Sequence, residues 1–167
     1  MKTTLLSILF CIIGFSAAAA ASDSIPKLDT KEDCKRAEPM IKKCATYILS
    51  HPLESKDKTR DMAGALIFMW MTNSEYQFSM DADMTKYCGK DKGLMHVLLA
   101  SMTDVVLEDP SVNADPKKMK LASFGRFIDY CASDDNKVKK TADLKKLIIA
   151  YADGKLETVL DMTTTAK

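Results

Sequence analysis

Residues Met62–Met71, MAGALIFMWM, are ten consecutive positions with no charge and no polar side chain, set between a charged run (Glu54–Asp61) and a polar one (Thr72–Glu75). A helix that is apolar around its whole circumference belongs in the interior of a fold. Ten residues fall well short of the roughly 20 needed to cross a bilayer. The stretch therefore predicts the central buried helix of a small all-α domain, with the rest of the chain wrapped around it.

Upstream, the chain opens with Lys2, an apolar run from Leu5 to Phe15 and five alanines, Ala17 to Ala21. This is the plan of a secretory signal peptide cleaved after Ala21. Cys11 raises the alternative of a lipoprotein signal, but Phe10 stands where a small residue is needed. The expected organisation is a signal peptide over 1–21, a flexible lead-in over 22–29, one helical domain over 30–162 and a frayed tail over 163–167. A mature chain of 146 residues is one domain's worth.

Without Lys2 the mature chain carries 23 basic and 23 acidic side chains. That balance argues against a nucleic-acid binder or a protein drawn to anionic membranes. The charge is unevenly distributed. Residues 54–115 hold 6 basic and 11 acidic groups, a net of −5, while residues 116–146 hold 9 and 4, a net of +5. Either the two parts pack together and complement each other, or Lys117, Lys118, Lys120, Lys139, Lys140, Lys145 and Lys146 form a basic face for an acidic protein partner.

Four cysteines follow the signal peptide: Cys34, Cys44, Cys88 and Cys131. An even number in an exported chain makes disulfides reasonable. On one continuous helix Cys34 and Cys44 would lie about 15 Å apart along the axis, too far to bond. That leaves 34–88 with 44–131, or 34–131 with 44–88, unless a break at Pro39 reopens the 34–44 pair. The plainer reading is that they are small buried hydrophobes. No CxxC or CxxH spacing suggests a metal cage.

Helix signals follow in order. Thr30 is a fitting N-cap for the stripe Cys34, Ala37, Ile41, Cys44, Ile48. Pro39 should kink that helix or begin a second one. Ser55 or Asp57 caps the central helix, in which Gly64 would let a neighbour approach closely. Tyr76, Phe78 and Met80 alternate with polar residues and read as an extended connector laid across the helices, before a short helix around Asp83–Cys88. Asp91 caps a helix with the stripe Leu94, Leu98, Ser101, Val105. Asp115 with Pro116 at the first helical position opens another, with Leu121, Phe124, Ile128 and Cys131 inward. Thr141 caps the last clear helix, which Gly154 ends. Some five helices joined by short loops make an antiparallel bundle or an irregular array of helical hairpins. Tyr-Cys recurs at 87–88 and 130–131, a faint hint of repetition that the surrounding residues do not support.

Catalytic patterns are scarce. His51 and His96 are the two histidines, and neither stands in a recognised nucleophile setting. His51 should face the terminal carbonyls of its helix. Asp81 and Asp83 begin like a calcium loop, but Lys86 and Lys92 occupy its glycine and twelfth positions. There is no glycine-rich phosphate cradle, GxSxG or HExxH. Methionine is the oddity, at ten mature residues. Thioethers suit Cu(I), but Met69 and Met71 point about 200° apart on a helix. An irregular core, or an inter-helix pocket for a small apolar molecule lined by Met62, Met69, Trp70 and Met102, accounts for them better.

With the helices placed, YILSHPLESKDKTR (47–60), WMTNSEYQF (70–78) and IDYCASDDNKVKKTADLKKLIIAYADGKLE (128–157) resemble small exported α-helical proteins of bacteria. The resemblance implies a periplasmic or secreted location and carries no activity, cofactor or site residue. The expectation is a non-catalytic, cofactor-free exported protein acting through protein contact. A carrier of a small apolar ligand is the alternative, and an enzyme is the least expected.

Overall fold

A computed structural model describes residues 26–54, 56–80 and 82–162. The proposed signal peptide, the Ser55 cap, Asp81 and the 163–167 tail lie outside them. The described chain is helical throughout: α1 (Lys31–Ser50), α2 (Lys58–Asn73), α3 (Ala82–Thr85), α4 (Lys92–Glu108), α5 (Pro116–Ala132), α6 (Ala142–Ala152) and α7 (Leu156–Met162), with 3-10 turns at Pro110–Ala114 and Asp134–Asn136. No strand occurs among the described residues. The all-α expectation of about five principal helices holds. No helix among these residues is long and apolar enough to cross a membrane.

The caps are the ones the sequence offers. Thr30, Asp57, Asp91, Asp115 and Thr141 each accept a hydrogen bond from a backbone N–H in the first turn of their helix, satisfying donors that have no partner within it. α1 runs unbroken through Pro39, so no second helix starts there and Cys34 and Cys44 stay about 15 Å apart. His51 stacks on Tyr47 with ring centroids 4.1 Å apart, its Nδ1 2.9 Å from the Tyr47 carbonyl, at the helix end as expected. The lead-in is anchored rather than free at Leu28, which is buried and whose carbonyl accepts from Asn73 Nδ2 at 3.0 Å.

α1 and α2 form an antiparallel hairpin. Its closed end is tied by Arg60, a buried cation donating to the carbonyls of His51 (2.6 Å) and Pro52 (3.2 Å). The other end is tied by Trp70, fully buried, whose Nε1–H donates to the Cys34 carbonyl at 3.0 Å. The central helix, however, is α4, which packs against α1, α2 and α5. From Leu94 to Val106 it is buried at eleven positions. The sequence hides this because Ser101 and Thr103 interrupt the apolar run. Ser101 is accommodated by donating to its own helix, to the Val97 carbonyl at 2.8 Å.

α2 is an edge helix. Ala63, Gly64, Ile67, Trp70 and Met71 face inward, whereas Met62, Phe68 and Met69 are 54%, 55% and 49% exposed. Its apolar circumference was the reason to place it at the centre, and half of that circumference meets solvent. The side-chain-free position does serve a close approach: the His96 ring of α4 packs onto Gly64.

Candidate ligand pocket and interaction surface

After α2 the chain crosses the bundle as a strap. Tyr76 and Phe78 set their rings 5.6 and 5.8 Å from Trp70, while Met80 remains exposed. The Asn113 amide clasps the strap in both directions, donating through Nδ2 to the Gln77 carbonyl (3.0 Å) and accepting from the Gln77 N–H (3.2 Å). Beneath it lies a pocket of about 320 Å³ walled by Phe78, Met84, Met102, Pro116 and Met119, with Gln77, Ser79, Asn113 and Lys120 at its polar edge. The three methionines come from α3, α4 and α5, and each is buried. That volume sits at the small end of ligand sites.

This is not the pocket expected from sequence. Met62 and Met69 lie on the outer face of α2, Trp70 is packed in the core, and of the four expected residues Met102 alone reaches the cavity. Met84 and Met119 were missed because each stands near a helix end, where no period marks it as inward.

The second feature is the outer face of α2. Lys58, Asp61, Met62, Ala65, Phe68, Met69 and Thr72 are all exposed and recur at intervals of three and four, which places them on one stripe. Asp61 is paired with Lys92 at 3.2 Å. Lys56 and Lys58, both exposed, flank the start of the stripe.

The expected basic face divides. Lys117 pairs with Glu157, Lys118 with Asp109 (3.7 Å), and Lys140 with Asp134 (2.7 Å). Lys120 edges the pocket, and Lys139, Lys145 and Lys146 are exposed. Lys117 and Lys140 flank opposite ends of the 17-residue α5, about 25 Å from end to end, so the seven do not form one compact patch. Instead the acidic and basic segments meet each other. Arg126 pairs with Asp104 and Glu108, Lys118 with Asp109, and Lys137 with Glu54 at 3.7 Å.

The four cysteines among the described residues are free thiols. Burial pushes the Cys88 and Cys131 thiols up to about 12, with Asp91 adding to the rise at Cys88 and Cys88 to that at Cys131. Cys34 lies at the Trp70 end of α1, donating weakly to the Leu28 carbonyl at 3.8 Å, and half-buried Cys44 lies ten residues along the same helix. Burial raises both of these thiols too. Protonated buried thiols are poor nucleophiles.

His96 is 6% exposed, and its Nδ1 lacks a hydrogen-bond partner, lying 4.0 Å from Asp61. Burial lowers its pKa, Lys92 and Arg60 lower it further, and Asp61 opposes them. Among the described residues no group of three or more His, Cys, Asp or Glu side chains is placed to hold a metal ion.

Comparison with known proteins returns nothing: no family model, curated protein or solved structure matches this chain.

Proposed function

We propose that this is an exported, non-catalytic protein that acts by binding another protein through the outer face of α2. The observation that carries the reading is the exposed apolar stripe Met62, Ala65, Phe68, Met69 on a helix whose other side supplies Ile67 and Trp70 to the core. A contiguous exposed apolar patch on a small domain marks an interaction site more often than chance. Asp61 is neutralised by Lys92, so Lys56 and Lys58 give the flank of the stripe a positive character. The fitting partner presents an apolar ridge bordered by acidic groups. Export is the reading that the leader-like residues 1–21 support.

The test is capture from envelope extract of the host, comparing wild type with Phe68→Asp and with Ile149→Asp, a control at an exposed apolar residue elsewhere (61% exposed). One partner retained by wild type and Ile149→Asp, and lost with Phe68→Asp, is the expected result. An identical capture by all three, an empty one, or self-association through α2 would overturn the reading.

A second reading, a carrier of a small apolar ligand, is favoured by the methionine-walled pocket under the strap. Native mass spectrometry of protein purified from its own host should then show a bound mass.

A further inference from the structure

We infer that the pocket under the strap selects a flat aromatic system of one or two rings over an alkyl chain carrying the same polar end. The inference rests on the carrier reading and names its ligand.

The walls argue for the ring. Met84, Met102 and Met119 reach one space from three separate elements, and all three are at least nine-tenths buried. A thioether is polarizable and makes favourable contacts with the edge and face of an aromatic ring, which an aliphatic chain does not return. Phe78 adds an aromatic wall held in place by the Trp70 ring behind it, so an incoming ring also finds a partner for offset or edge-on stacking. Unbranched methionines can open around a plane wider than a chain without strained rotamers.

Size and polarity narrow the choice. A space of about 320 Å³ admits roughly 15 non-hydrogen atoms at ordinary packing density. Of the polar groups at its edge, the Asn113 amide is engaged with the Gln77 backbone and serves to fasten the strap. Lys120, also in the lining, has a partner of its own, so the apolar walls decide what fits.

The experiment uses the whole mature chain labelled with 13C at the methionine methyls, titrated separately with 2-naphthoate and decanoate, with affinities from calorimetry. The expected result is at least tenfold tighter binding of naphthoate, with ring-current shifts of the Met84, Met102 and Met119 methyls while exposed Met62 and Met69 stay in place. Met84→Leu with Met119→Leu, which keeps the apolar volume and removes two sulfurs, should narrow the preference severalfold. The labelled wild type decides the matter alone should that variant fold poorly. Decanoate bound as tightly as naphthoate at the same three methyls would overturn the aromatic preference and leave the carrier reading standing. If neither ligand moves the three methyls, both are overturned.

Discussion

Replacing Gly64 by alanine tests the packing of α2 on α4 at its tightest point. A Cβ on residue 64 would lie 2.5 Å from Cγ and 2.7 Å from Nε2 of His96, where carbon atoms ordinarily rest about 3.5–4.0 Å apart. The obstacle is the body of a ring 6% exposed, so it cannot swing into solvent. Overpacking of this kind costs about 1–3 kcal/mol, and an overlap near 1 Å against a rigid ring belongs at the upper end. Alanine gains about 1 kcal/mol over glycine in a helix interior. The net expectation is a loss of about 2 kcal/mol, a fall in Tm of about 4–8 °C for a domain of this size. The same substitution made in a His96→Ala background meets no ring, and the helix-propensity gain should then raise stability by up to about 1 kcal/mol. Urea unfolding of the four proteins gives the coupling directly. Should Gly64→Ala stabilise the protein with His96 in place, the close approach is not what constrains this position.

Other consequences follow from the same contacts. His96 has a folded-state pKa below its ordinary 6.5, chiefly through burial. The unfolded chain therefore binds the proton more readily, and stability present above about pH 6.5 is lost as pH falls from there through the folded value. Urea midpoints between pH 7.5 and pH 5 should drop for wild type and flatten for His96→Gln; parallel curves would refute this. Arg60→Met removes a 2%-exposed cation that donates to two loop carbonyls and to the Tyr130 hydroxyl at 3.3 Å. It should cost about 1–3 kcal/mol by leaving the Pro52 carbonyl unmet, since the His51 carbonyl keeps its bond from the Tyr130 hydroxyl at 2.7 Å, and a change under about 0.5 kcal/mol in chemical denaturation would show the arginine to be dispensable.

Local signals in the sequence were legible where one residue answers one physical need. Thr30, Asp57, Asp91, Asp115 and Thr141 cap because unsatisfied first-turn N–H groups need an acceptor, and Gly154 ends α6 with φ 70°. The helical class followed from these and from the apolar periods. What misled was composition taken as depth. Ten apolar residues in α2 state that water is not preferred, yet they do not say which neighbours exist to exclude it, and α2 has them on one side. Conversely α4 lies deepest while carrying Ser101, whose hydroxyl bonds the Val97 carbonyl one turn back, and Thr103, whose buried hydroxyl has no hydrogen-bond partner. The pocket was invisible for another reason. Its walls converge from three elements and a strap, which long-range contacts such as the clasp of Asn113 on Gln77, thirty-six positions apart, bring together. The charge imbalance was readable as a pattern, and Arg126 with Asp104 and Glu108 shows it resolved within the molecule.

The division of labour across α2 bears on how such a chain could diversify. Ile67 and Trp70 secure the helix from within, while Met62, Phe68 and Met69 contribute little to holding it there. Lineages could therefore rewrite the outer letters, changing whom the protein meets, at almost no expense to its folding. Substitutions that switch partner should accordingly fall at positions 62, 65, 68 and 69, and spare 63, 64, 67 and 70.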